Sequence, residues 1–312
     1  MSDPAPVVLF AYNRPDHTRQ TVDALRRNTL AMTTDLIAFS DGPRAAEDMS
    51  RVLEVRRYLK SVDGFRSVTV HERGSNFGLA ASVIDGVTRV CEDAGQIIVV
   101  EDDLVVSPHF LDFMNTALRR YSNDAEVMQI SGYMFPVDMG SETDSFFLPF
   151  TTSWGWGTWQ RAWAAFDPLM SGFDALSGDL RLRKAFDLDG AYDYFGMLRR
   201  QRRGDADSWA IRWYLSVFMR KGLTLYPAKT LVQNIGFDGS GMHCGTDDFG
   251  QAGGLPDFEV TSYPERVELF PAWRRVLAGL PRRSRRHSLR ELAGKLIRRV
   301  SRTIGTTSGR RS

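Results

Sequence analysis

A short apolar run, Gln96-Ile-Ile-Val-Val100, opens after Gly95 and ends directly in three carboxylates, Glu101-Asp102-Asp103. So brief and β-branched a run, bounded by a glycine and by charge, reads as a buried strand. Three adjacent acids at its end repel one another and resist ionisation unless something positive meets them. Mg²⁺ or Mn²⁺ answers that demand, because such a cation takes oxygen ligands and bridges one or two carboxylates to substrate phosphates. A solvated acidic turn is the competing account. The position, after a wholly apolar strand and ahead of an amphipathic helix, favours the cation.

Around this point the first half alternates strands with helices, the pattern of βαβ units and a largely parallel sheet. Strands are expected at Pro6–Tyr12, Asp35–Ser40, Ser67–His71 and Gln96–Val100, with a fifth over Glu126–Ser131. Leu79, Val83, Val87 and Val90 recur at helical spacing. Ser107-Pro108 offers an N-cap and a first-turn proline to a helix whose apolar face is Phe110, Phe113, Met114, Ala117, Leu118 and Tyr121. Beyond about residue 140 the rhythm gives way to an aromatic, glycine-rich stretch, then a helix near Ser208–Lys221 and a strand near Leu223–Pro227. The expected class is α/β, a mostly parallel sheet flanked by helices. Residues 1–135 would form the first half and 136–281 the second half of one domain, ahead of a basic amphipathic tail, 282–312.

Ligands of open parallel sheets bind beyond the carboxyl ends of the strands. The residues following the first four strands are Asn13-Arg14-Pro15, Asp41-Gly42-Pro43, Gly74-Ser75-Asn76-Phe77-Gly78 and Glu101-Asp102-Asp103, all polar, charged or glycine-rich. No Gly-x-Gly-x-x-Gly follows the first strand and no Gly-Lys-Ser/Thr loop occurs, which argues against a dinucleotide dehydrogenase and a P-loop NTPase. Cys91 and Cys244 sit in no ligand-spaced cluster, so neither a zinc site nor a disulfide framework is expected.

The acidic trio and its strand resemble the Asp-x-Asp-type motif of GT-A-fold, metal-dependent glycosyltransferases. The chain is similar there, and around Asn13-Arg14, to enzymes of the N-acetylglucosaminyltransferase I type and to bacterial family-2-like sugar transferases. The resemblance spans about residues 6–250 and is looser in the second half. It implies that Asn13 and Arg14 lie against a nucleotide diphosphate, that Asp41 meets a uracil edge, and that the Asn76 loop closes on base or donor sugar. Asp103 would be the direct ligand of Mn²⁺ or Mg²⁺, with Glu101 near the ribose and Asp102 near the donor sugar. For Asp41, a plain turn residue is the alternative.

The second half must then supply acceptor contacts and, for an inverting enzyme, a general base. Trp159 and Trp163 are spaced for one helix face and read as core, whereas Trp154 and Trp156, flanked by glycine, suit a platform for a sugar ring. Comparable Trp-Gly segments line acceptor sites in the resembling transferases. Gly204-Asp-Ala-Asp-Ser-Trp209 resembles the segment carrying the catalytic aspartate in N-acetylglucosaminyltransferase I, and points to Asp207. A helix N-cap is the alternative reading of that aspartate. Gly236–Gly245 has the glycines of a mobile flap, on which His243 could become a further metal or diphosphate contact; a structural histidine is the alternative.

The net charge of +2 hides an asymmetry. Residues 282–312 hold eleven Lys/Arg and one acid, a charge of +10, while the remainder carries 29 basic and 37 acidic side chains. Leu289, Leu292, Leu296, Val300 and Ile304 recur among the arginines, as on a basic amphipathic element drawn to an anionic membrane surface. The expected partners are a nucleotide-sugar donor, UDP-linked by preference, and a glycan or lipid-linked acceptor; nucleic acid is the weakest candidate. The polar start and the lack of any ~20-residue apolar stretch make the expectation a soluble, cytoplasmic protein, peripheral on the inner membrane face if the tail docks. Two other functions share these features: a nucleotidyltransferase, for which Asn13-Arg14-Pro15 is a poor triphosphate loop, and a non-catalytic glycan-binding module.

Overall fold

All five residues of β1 (Val7–Ala11) are buried, as a strand flanked and covered on every side must be. Pro15 opens α1 (Pro15–Arg26), where its missing N–H leaves no bond unmade. Then follow β2 (Asp35–Ser40), α2 (Met49–Lys60), β3 (Ser67–Glu72), α3 (Leu79–Ala94) and β4 (Gln96–Glu101). The computed structural model of the chain describes residues 3–140, 143–238 and 254–280. Every element described belongs to one unit, Met1–Gly279.

The acids lead into a short β5 (Leu104–Val106) and α4 (Phe110–Arg120), then β6 (Val127–Ser131), β7 (Ser145–Leu148), β8 (Trp156–Trp159) and α5 (Gln160–Trp163). The helices α6 (Phe173–Gly178), α7 (Leu180–Phe186), α8 (Tyr194–Arg202) and α9 (Trp209–Met219) precede β9 (Leu223–Pro227) and β10 (Val232–Asn234). Eight strands form one mixed, largely parallel sheet in the order β3-β2-β1-β4-β8-β6-β9-β7, and β10 pairs with β5 apart from it. β1 runs parallel to both β2 and β4, while β8 is antiparallel between β4 and β6. The sheet is thus continuous from the first half of the chain into the second.

Strands expected from apolar runs are found within a residue or two. Three details differ. α4 begins at Phe110, and Ser107 serves a preceding turn, its Oγ accepting from the His109 N–H at 3.0 Å. Leu79 lies 42% exposed at the start of α3, outside the buried stripe of Val83, Val87 and Val90. β8 occupies a stretch whose glycines suggest a loop: a Cβ on Gly157 would meet Met114 Cε at 2.9 Å and the Ile97 carbonyl at 3.0 Å. That glycine serves close packing inside a strand.

The core between β8 and α9 is aromatic. Trp156 stacks on Trp209 at 5.0 Å and lies 5.9 Å from Trp163 and 6.4 Å from Trp213. Burying each such ring stabilises the fold by roughly 4–6 kcal/mol as an upper bound. Trp159 and Trp163 are core residues as expected, on a strand end and a helix rather than one helix face. Among the described residues no helix is long and apolar enough to cross a membrane; the basic tail lies outside the described residues.

Candidate active site

The chain leaves β1 for β2 and β3 on one side and returns to β4 on the other, so the strand order reverses at β1. A crevice opens at such a reversal, beyond the carboxyl ends of the two strands. Here those ends carry Tyr12-Asn13-Arg14 and Glu101-Asp102-Asp103. Arg14 Nη2 donates to Asp102 Oδ1 at 2.5 Å and to Asp103 Oδ2 at 2.9 Å. Asp102 ties the two strand ends and α1 together, since its Oδ2 accepts from the Tyr12 N–H and its carbonyl from Thr21 Oγ1. Asp103 is 5% exposed, and its Oδ1 is buried with no hydrogen-bond partner among the described residues; the same holds for Arg14 Nη1.

One guanidinium faces three carboxylates. Burial, then Asp103 and Asp102, push the Glu101 carboxyl up to about 8. Burial also raises Asp102, against the pull of Arg14. Arg14 loses some proton affinity to burial, but the two aspartates more than offset this and hold it charged. The pocket is therefore short of positive charge, and one buried acid oxygen lacks a partner. Those are the conditions a divalent cation satisfies, so the residues present fit the expected Mn²⁺ or Mg²⁺. No group of three or more His, Cys, Asp or Glu side chains able to hold a metal occurs among the described residues. A cation that shares one or two carboxylates with substrate phosphates does not need one. His243 lies outside the described residues, as does Cys244.

The segment after β10 covers this cluster. Ile235 N–H donates to the Asp103 carbonyl at 2.8 Å, and Gly236 N–H to Asn234 Oδ1 at 2.8 Å. A Cβ on Gly236 would stand 2.3 Å from Asp103 Oδ2 and 3.1 Å from Arg14 Nη1, so only glycine lets the backbone come this close. Farther along, Asp238 Oδ2 lies 3.3 Å from His17 Nε2 on α1. Neither β5 nor this seating is expected from the sequence; the glycines of 236–245 are the one signal it offers.

Beside it, the loops after β2 and β3 lock together. Asp41 Oδ1 accepts from the Gly42 and Phe77 N–H groups and Oδ2 from Gly78, each at 2.9 Å. Asn76 Nδ2 donates to the Gly42 carbonyl at 2.8 Å. Asp41 is thus a loop anchor with both oxygens engaged, a different task from the base-edge contact expected of it. Asn13 turns its amide to Asp48 Oδ1 at 2.8 Å, and Tyr12 Oη donates to the same carboxylate at 2.7 Å. This loop also exposes an aromatic ring, Phe77, 47% accessible, with the Arg73 guanidinium 4.1 Å from its ring centre. Sequence reasoning did not single it out.

The two tryptophans part company. Trp156 is fully buried and stacked on Trp209, so it offers no face to an acceptor, which corrects the platform expected there. Trp154 is half-buried, with its ring against Tyr133 at 4.5 Å and Phe237 at 5.6 Å, next to the residue that covers Asp103. Asp207 is exposed and paired with Arg212 at 2.8 Å. It is not the helix cap; Ser208 accepts from the Ile211 N–H in that role. Two residues on, Trp209 stacks on Trp156, the partner of Val99 in β4. Beyond the ends of β6 and β9 opens a cavity of about 480 Å³, lined by Tyr133, Phe135, Met139, Lys229, Gln233 and Leu255 among others.

No family model matches the chain, and no curated protein matches it in sequence. Among solved structures, a mannosyltransferase from Pyrobaculum calidifontis, in complex with GDP-Man and Mn²⁺, is similar over 51% of this chain and 45% of its own, at 13% identity and a TM-score of 0.37. TarS of S. aureus is similar over 50% of this chain and 28% of its own, at 11% identity and a TM-score of 0.33. A putative nucleotide-diphospho-sugar transferase from Desulfovibrio desulfuricans G20 is similar over 54% of this chain and 69% of its own, at 12% identity and a TM-score of 0.35. The chain thus spans less than half the length of the first two. Likenesses this distant carry no functional weight; function has to be read from the site itself.

Proposed function

We propose that the chain is a metal-dependent glycosyltransferase, moving a sugar from a nucleotide diphosphate, UDP by preference, to an acceptor hydroxyl. The observation that carries this reading is the buried Asp102–Asp103 pair at the β1/β4 reversal, one oxygen unpartnered, with Arg14 already drawn to it. When bound, a divalent cation neutralises charge growing on the diphosphate leaving group. Asp103 would hold it, as the sequence resemblance to N-acetylglucosaminyltransferase I also implies, and His243 is a candidate for a further contact.

Around that centre each group has a task. Arg14 offers its unpaired Nη1 to diphosphate oxygens, and Asp41 with Asn76 keeps the donor loop in place. Phe77, backed by a cation, presents an exposed ring for the base to stack on. Glu101 and Asp102 face the ribose and the sugar. The cavity beyond β6 and β9, with Trp154 near its Tyr133 wall, is of a size to take a glycan or a lipid-linked sugar. Asp207 serves as general base, taking the acceptor proton as the hydroxyl attacks with inversion. The Arg-rich tail would bring the enzyme to an anionic membrane surface where such acceptors lie.

Two variants separate binding from chemistry. Asp103→Asn is expected to abolish Mn²⁺-dependent nucleoside diphosphate binding in calorimetry. Asp207→Asn is expected to keep that binding and lose transfer by roughly 10²–10⁴-fold, since a base acts only in the transition state. Equal loss of donor affinity in both variants contradicts the assignment, and triphosphate turnover with pyrophosphate release would replace it with a nucleotidyltransferase.

A further inference from the structure

In a site read as holding metal and diphosphate together, one contact is unexplained: Arg14 bonds both aspartates of the pair that would hold the cation. We propose that Arg14 is a resident counter-ion that keeps divalent metal out of the donor-free site and yields only to metal arriving with a nucleoside diphosphate, a role that rests on the transferase reading of the same site. Metal and diphosphate then bind as a coupled pair.

Three observations support the device. A single nitrogen, Nη2, bridges both aspartates, so the arginine occupies the spot between them. Each partner is left half-satisfied, because Asp103 Oδ1 and Arg14 Nη1 are both buried and unbonded. Buried groups in that state lose free energy that a different arrangement would recover. Metal on Asp103 and diphosphate on the guanidinium satisfy both at once; either ligand alone satisfies only one. Finally, Gly236 seats its backbone against both groups, since a Cβ there would stand 2.3 Å from Asp103 Oδ2 and 3.1 Å from Arg14 Nη1.

What must move is small. The Arg14 backbone is fixed, its carbonyl accepting from the Thr18 N–H at 2.9 Å and from Thr18 Oγ1 at 2.8 Å. Its side chain is 18% exposed, and the guanidinium, held by the two aspartates, is the part that must turn. Displacement therefore asks for a rotamer change and no rearrangement of β1 or α1.

Titrating Mn²⁺ alone, and Mn²⁺ in the presence of UDP or GDP, into the full chain tests this, with bound metal read by electron paramagnetic resonance. The wild type is expected to bind Mn²⁺ weakly alone and at least tenfold more tightly with diphosphate. Arg14→Met is expected to bind Mn²⁺ alone at least tenfold more tightly than wild type, with the diphosphate enhancement reduced by a similar factor, as linkage requires. Arg14→Gln keeps a donor for the aspartates without the charge and shows the same gain where the methionine variant folds poorly. If both variants bind Mn²⁺ alone no better than wild type while the wild type still needs diphosphate, the counter-ion role is overturned and the transferase reading survives. If no protein shows diphosphate-linked Mn²⁺ binding, the reading of the site falls, and this inference with it.

Discussion

Gly236→Ala adds one methyl group and removes no functional atom, yet its effect should be large. The new carbon would stand 2.3 Å from Asp103 Oδ2, 3.0 Å from its Cγ and 3.1 Å from Arg14 Nη1. The first distance is about an ångström inside van der Waals contact. Arg14 can swing its tip away. Asp103 cannot, being short, 5% exposed and held through its carbonyl by the Ile235 N–H. Either the carboxylate turns off the guanidinium or the 234–236 segment lifts, with loss of the Ile235 bond. The backbone of Gly236 lies outside the left-handed region, so the penalty is steric alone.

Overpacking of this kind costs about 1–3 kcal/mol. An ångström of misplacement at a reacting centre costs about 10²-fold in rate. Urea unfolding should therefore show a loss of about 1–3 kcal/mol, and calorimetry with Mn²⁺ and a nucleoside diphosphate should show binding weakened or absent. Turnover of whichever donor is consumed should fall about a hundredfold. Gly178→Ala, in α6, is the control, because nothing lies within 4 Å of its added carbon. It should leave stability and binding as they are. If Gly236→Ala loses under about 0.5 kcal/mol and binds metal and diphosphate as wild type does, the covering segment does not sit on the acids.

Two further expectations concern chemistry away from the site. Burial, with a lesser contribution from Glu92, pushes the Cys91 thiol up to about 12, so at pH 8 its native-state alkylation should run about a thousandfold slower than in urea. Equal labelling of the Cys91 peptide in both states, by mass spectrometry, would contradict its burial. Asp35 is held down to about 2, chiefly by its bond to Arg66. Because the folded value is the lower one, the stabilisation is complete above about pH 4 and is lost as pH falls toward 2. Asp35→Asn should therefore be less stable than wild type at pH 6 and match it near pH 2; a gap that stays constant down to pH 2 would refute the link.

How far the molecule is legible in its sequence varies with the range of the interaction. β1, β2, β4 and β9 can be read directly, because a short apolar run between breakers has few alternatives to a buried strand. β8 cannot, since Trp156-Gly-Thr-Trp159 owes its strand to distant partners, β4 and β6, and its glycine is explained only by what packs on it. The same limit separates Trp154 from Trp156: both are flanked by glycine, but only the latter lands over Trp209. Asp41 shows it again, a strand-end acid whose oxygens are consumed by a loop 36 residues away.

At the acids the limit becomes informative. Adjacent carboxylates at a buried strand end require positive charge on local grounds alone, and Glu101-Asp102-Asp103 is enough to say so. Which charge arrives is a question of topology, answered by a reversal of strand order that sets Arg14 beside residues 88 positions later. An arginine and a divalent cation are two solutions to one electrostatic problem. A site that only needed neutralising would satisfy the arginine fully. This one leaves Nη1 and Asp103 Oδ1 idle, and a buried pair kept half-bonded makes sense where both atoms have a second partner to meet.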